Sequence, residues 1–83
     1  MYKVYTKDDC PWCVKAKRLL MDCGIQFEEL KLGRDYQREE LKALLPESLP
    51  LTVPQVFVYN TRIGGFEDLQ EYAESHNLMG TNQ

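Results

Sequence analysis

Tyr2-Lys3-Val4-Tyr5-Thr6-Lys7-Asp8-Asp9-Cys10-Pro11-Trp12-Cys13-Val14-Lys15-Ala16-Lys17-Arg18-Leu19-Leu20 is the stretch that decides how this chain folds. Tyr2–Thr6 alternates and is rich in β-prone side chains, which predicts a strand. From Pro11 to about Cys23 the apolar residues Cys13, Ala16, Leu19 and Leu20 recur at helical spacing and predict one buried face. Pro11 suits the first helical position, which places Cys10 at or beside the cap, and Gly24 ends the helix. Two thiols two residues apart therefore stand where a strand hands over to a helix, a position suited to redox chemistry.

Outward from there, Ile25–Leu30 reads as a second strand. Strand, helix and strand within so short a span predict a parallel, right-handed crossover. Arg34–Leu45 is the next predicted helix, with Leu41, Leu44 and Leu45 on one face and Pro46 ending it. Pro46–Pro54 holds three prolines and is a loop. Gln55–Tyr59 and Thr61–Ile63 are strands joined tightly enough through Asn60 for a hairpin. Gly64-Gly65 then turns the chain into a last helix, Phe66 to about His76, with Phe66, Leu69, Tyr72 and Ala73 inward. The polar tail Met79–Gln83 is expected to fray. The order β-α-β-α-β-β-α predicts an α/β fold: a four-stranded mixed sheet, helices on both faces, and the first strand central.

The chain is 83 residues long, which predicts a single domain over residues 1–83. With 43% hydrophobic and 28% charged residues its composition is that of an ordinary globular protein. No apolar run approaches the roughly 20 residues of a membrane span. A net charge of −3 with no basic block argues against nucleic-acid or anionic-membrane partners. The opening residues carry no charged-then-apolar leader, so a cytoplasmic location is expected, where static disulfides are rare. The odd count of three cysteines suits a reactive pair plus a leftover better than a disulfide scaffold.

A thiolate is the attacking form of cysteine, and a thiol of ordinary pKa, about 8.5, is only slightly ionised at neutral pH. Cys10 at a helix N-terminus would face unpaired N–H groups and the positive end of the helix dipole, with Lys7 nearby, so a depressed pKa is expected. Cys13, one turn on and facing inward, would be kept neutral by desolvation. The predicted labour divides into an exposed, ionised attacker and a shielded resolver. Lys15, Lys17 and Arg18 read as a solvated helix face in preference to a local positive field around the motif. Trp12 is either a hydrophobic cap or a flat surface offered to a substrate. A zinc site is disfavoured, since Cys23 and His76 are the only further soft ligands and have no paired spacing. An iron–sulfur cluster shared between two copies remains a lesser alternative. Cys23 reads as a small core filler or a third redox thiol, and His76 as a C-terminal cap.

Four segments together resemble the glutaredoxin family. They are Val4-Tyr5-Thr6-Lys7 leading into Cys10-Pro11-Trp12-Cys13, Ala16-Lys17-Arg18-Leu19-Leu20, Thr52-Val53-Pro54-Gln55-Val56-Phe57-Val58, and Ile63-Gly64-Gly65-Phe66-Glu67-Asp68-Leu69. The compactness and Phe66 bring the chain nearest the small phage and bacterial members. The resemblance implies the thioredoxin fold and a cis Val53–Pro54 bond facing the active site. It implies glutathione as reducing co-substrate, with no tightly bound cofactor and no metal. By resemblance Lys7 lies near the glycyl carboxylate, Trp12 stands where the family has Tyr or Phe, and Val53, between the glutathione-binding positions Thr52 and Pro54, supplies the backbone contact. Gly65, Phe66 and Glu67 match the segment that holds the γ-glutamyl end. For Glu67 and Asp68, pairing with the γ-glutamyl ammonium and favourable charge at a helix start are compatible readings. Leu51 departs from the basic or amide side chain many members carry before the Thr-Val-Pro. Phe66 and Glu67 depart from the usual Ser or Cys and Asp.

The implied activity is glutathione-dependent reduction of protein disulfides and glutathione mixed disulfides through Cys10 and Cys13. Thioredoxin reductase is the alternative electron source, with an iron–sulfur carrier further off. A monomer is expected, and ribonucleotide reductase is a protein partner suggested by resemblance alone.

Overall fold

The elements run β1 (Tyr2–Thr6), α1 (Pro11–Asp22), β2 (Phe27–Lys31), α2 (Arg38–Leu44), β3 (Gln55–Val58), β4 (Thr61–Gly64) and α3 (Phe66–Ser75). This is a computed structural model, and it describes residues 1–78. The four strands form one mixed sheet in the order β2-β1-β3-β4. β1 runs parallel to β2, with Val4 opposite Glu29, and antiparallel to β3, with Val4 opposite Val56. The β3–β4 hairpin closes through Tyr59 and Asn60, between the pair Val58 and Thr61. This is the predicted thioredoxin-like arrangement, and it puts β1, which carries the Cys10 loop at its end, in the middle of the sheet.

The alternation of β1 divides the core into two. Val4 packs with Ala16 and Leu20 of α1, Val56 of β3 and Leu69 of α3 on one face. On the other face Tyr36, Leu41, Leu45 and Phe57 form a second cluster, with Tyr5 packed against it. Tyr5 meets Tyr36 and Phe57 edge-on, at 5.1 and 5.6 Å between ring centroids, an arrangement aromatic quadrupoles favour. The Tyr36 hydroxyl donates to the Thr6 carbonyl at 2.9 Å. That bond ties the second core to the last residue of β1, just before the active loop.

α2 departs from expectation. It starts at Arg38, not Arg34. Gly33 takes φ +87° and its N–H reaches the Tyr36 carbonyl at 2.8 Å, while the Asp35 carboxylate accepts from the Lys31 N–H at 2.9 Å. These local bonds hold residues 32–36 in a turn and compete with helix. The helix that remains has two turns, and its inward stripe is only as wide as Leu41. Leu45 reaches the core from extended backbone past the helix end. Leu44, expected inward, is 49% exposed because nothing among the described residues packs over that flank. β2 likewise begins at Phe27 and not at Ile25. The tail Met79–Gln83, expected to fray, lies outside the described residues. No helix among the described residues is long and apolar enough to cross a membrane.

Candidate active site

Cys10 is the N-cap of α1, with extended backbone, and its Sγ accepts the Cys13 backbone N–H at 3.1 Å. Pro11 follows at the first helical position, where a missing N–H costs nothing. The two cysteines are joined in a disulfide, with Cα atoms 5.2 Å apart. Cys10 is 9% exposed and Cys13 2%. The order of exposure is the expected one, but Cys10 is not the open attacker the sequence suggested. In this oxidised form its sulfur lies 3.9 Å from the Val53 carbonyl oxygen.

Val53–Pro54 is a cis peptide bond, as the resemblance implied. Thr52 and Val53 divide two concavities. One, of about 390 Å³, is walled by Trp12, Phe66, Pro54 and Gly65, with Glu67 and Asp68 at its rim. Trp12 is 51% exposed, lies 5.5 Å from the Phe66 ring, and carries the Lys15 ammonium 4.3 Å above its own ring. The other, of about 300 Å³, joins Lys7 to Leu32, Tyr36, Arg38, Leu41 and Leu51. Every residue anticipated as substrate-binding thus lines one or other of these two hollows. Arg38, Tyr36, Leu32 and Leu41 were missed. A helix starting at Arg34 would have put Arg38 a full turn inside it, so only the observed turn at 32–36 reveals that Arg38 opens α2 toward Lys7.

The two acidic residues at the start of α3 separate here. The Asp68 carboxylate accepts the Gly65 N–H at 3.2 Å and so caps the helix. Glu67 is exposed, and no ion pair or side-chain hydrogen bond is recorded for it among the described residues.

Lys17 is not simply solvated. Its ammonium and the buried Thr6 hydroxyl both donate to Glu29 Oε2, at 3.0 and 2.8 Å. Lys17 and Glu29 line a third hollow together with Cys10 and Cys13. Burial opposes ionisation of Glu29, but the bonds from Lys17 and Thr6 and the charges of Lys17 and Lys31 prevail and lower its pKa. Because the folded pKa lies below the unfolded one, the stabilisation is complete above the unfolded carboxylate value. It is lost as pH falls through the folded value. Glu29→Gln should therefore cost about 1 kcal/mol at neutral pH. Thermal melts of both proteins should converge on acidification, whereas a gap that persists at low pH would contradict the charge argument.

Lys15 and Arg18 do stay at the surface, Arg18 being 3.7 Å from Asp22 in an exposed pair. Cys23 caps the C-terminus of α1 and is partly exposed, and burial followed by the charge of Asp22 pushes its thiol pKa up. Neither the full burial of a core filler nor the activation of a redox thiol is seen there. His76 caps α3, with Nδ1 donating to the Tyr72 carbonyl at 2.9 Å. Among the described residues no three His, Cys, Asp or Glu side chains converge as a metal site.

Residues 3–63 match the family model for Glutaredoxin. Over 68 residues the chain is 43% identical to glutaredoxin 3 of Escherichia coli strain K12, covering 81% of this chain and 78% of that protein. It is 45% identical over 69 residues to the hybrid peroxiredoxin hyPrx5 of Haemophilus influenzae, a match spanning 83% of this chain but 27% of that protein. A crystal structure of a buckwheat glutaredoxin–glutathione complex aligns with a TM-score of 0.76 at 26% identity, over 95% of this chain and 73% of that one.

Proposed function

This chain belongs to the glutaredoxin family of thiol–disulfide oxidoreductases, and we propose that glutathione is the reductant that returns its Cys10–Cys13 disulfide to the dithiol. The observation that supports this is the charge arrangement around Cys10. Lys7 and Arg38 stand on one side of Thr52–Val53, and Glu67 with the start of α3 on the other. Glutathione is a short strand with a carboxylate at its glycyl end, and a carboxylate and an ammonium at its γ-glutamyl end. Its backbone can pair with Val53 as an added strand, its glycyl carboxylate with Lys7 and Arg38, and its ammonium with Glu67. The N–H groups at the start of α3 suit the second carboxylate.

In the forward reaction the Cys10 thiolate attacks a substrate disulfide, and one substrate sulfur leaves as a thiolate. Cys13 loses its proton to solvent and attacks Cys10 sulfur, releasing the second substrate thiolate and leaving Cys10–Cys13 oxidised. One glutathione thiolate then attacks Cys10 and frees Cys13. A second glutathione thiolate attacks the glutathione sulfur of that mixed disulfide, Cys10 leaves as the thiolate and Cys13 regains a proton from solvent, so two electrons return to the protein and glutathione disulfide departs. Protein disulfides and glutathionylated cysteines are the substrates of this reading, with ribonucleotide reductase one such partner. A monomer of one domain in the cytoplasm, where glutathione keeps thiols reduced, fits it.

The test compares turnover of one disulfide substrate with two electron supplies. Glutathione with its reductase should sustain it at least about tenfold faster than thioredoxin reductase. The reverse ratio would make thioredoxin reductase the physiological donor and sink the proposal.

A further inference from the structure

The hollow beside Lys7 is lined largely by apolar side chains. Its rim carries two cations, Lys7 and Arg38, and neither is ion-paired among the described residues. Beneath them lie Leu32, Tyr36, Leu41 and Leu51. Leu41 and Tyr36 are buried, while Leu51 is half-buried and Leu32 is 39% exposed. A strand paired with Val53 and oriented by the charges described above places the residue after its cysteine over this floor. In glutathione that residue is glycine, which has no side chain to offer a hollow of about 300 Å³.

We infer that this hollow seats a bulky apolar side chain on the residue following the substrate's reacting cysteine. The favoured substrates are then peptide or protein disulfides of Cys-Leu type, with a carboxylate just beyond for Lys7 and Arg38. The inference rests on the glutathione reading only for the direction of the bound strand. Cations at the rim of an apolar floor suit such an occupant, since a concave apolar surface with few polar groups gains from excluding water while the charges set orientation.

The experiment uses the full chain, reduced beforehand, in single turnovers. The substrates are mixed disulfides of cysteamine with γ-Glu-Cys-X, where X is Gly, Leu or Gln, and with N-acetyl-Cys-Gly and N-acetyl-Cys-Leu. Cys10 attacks the peptide sulfur, the bond to cysteamine breaks, and cysteamine leaves as the thiolate. Cys13 then gives up its proton and closes the protein disulfide, releasing the peptide thiolate. The second-order rate constant for the Leu peptide should exceed that for the Gly peptide about tenfold. Gln, of similar size but polar, should show little of that gain. Leu51→Lys should bring the Leu-to-Gly ratio within about twofold, and Leu32→Ser, at a more exposed position, should also reduce it. Equal rates for Leu and Gly, equal gains for Leu and Gln, or a ratio untouched by both variants would each overturn the inference. If γ-glutamyl peptides react no faster than their N-acetyl counterparts, the glutathione reading fails separately. A Leu preference kept by the N-acetyl peptides still supports the apolar seat.

Discussion

Cys10→Ser should abolish disulfide reduction, lowering turnover at least about a thousandfold. Cys13→Ser should lose the two-thiol route but keep deglutathionylation within about tenfold of the parent. The asymmetry follows from place. Cys10 is the cap of α1, its sulfur takes a helix-start N–H at 3.1 Å and lies 3.9 Å from the carbonyl oxygen of Val53, a residue that lines both hollows. An anion is favoured there by the helix dipole, and a serine hydroxyl in the same place is neither ionised at neutral pH nor able to form a disulfide. Cys13 is 2% exposed and faces the sheet, so it meets only a sulfur already held by Cys10. Initial rates on a glutathionylated peptide and on a protein disulfide, measured for both variants, decide the matter. Activity retained by Cys10→Ser and lost in Cys13→Ser would reverse the roles.

Leu20→Ala should destabilise the oxidised protein by about 3 kcal/mol, which for a domain of this size lowers the melting temperature by roughly 12–24 °C. Leu20 is 1% exposed and packs with Val4, Ala16, Val56 and Leu69. It is a main contact seating α1, and hence the dithiol, on the sheet. Removing it leaves a cavity between elements that rigid neighbours fill only in part. Leu44→Ala, the same change at a 49% exposed position, should move stability by no more than about 0.5 kcal/mol. Thermal unfolding followed by circular dichroism measures both. Similar losses in the two variants would mean that burial does not govern stability here.

The residues that read correctly are those whose conformation is set nearby. Pro11, the spacing of Cys13, Ala16 and Leu20, and the stop at Gly24 specify α1 within about one residue of its observed span. Val56 and Phe57 likewise mark β3, although the strand stops one residue short of Tyr59. The misreadings have separate causes. Residues from Arg34 on read as the start of a helix, but the Asp35 carboxylate and the Gly33 N–H find partners that close a turn. Leu44 has the right spacing from Leu41 and still faces solvent, because periodicity does not say how much surface a neighbour covers. Lys17 looked like any surface lysine until Thr6 and Glu29 were brought beneath it by the pairing of β1 with β2.

From its sequence alone the chain determined where the two sulfurs stand, Cys10 at the cap and Cys13 one turn inside, since both positions follow from where a strand ends and a helix begins. Tertiary structure alone decided the surroundings of those sulfurs. Lys7, Arg38 and Leu51 meet in one hollow, Asp68 is taken up as a cap and leaves Glu67 facing solvent, and Cys10 is folded in beside Val53. These residues lie far apart along the chain, and what joins them is sheet register and the exact exit of each loop. Local pattern fixes which face a side chain takes. Only long-range packing fixes what stands opposite it.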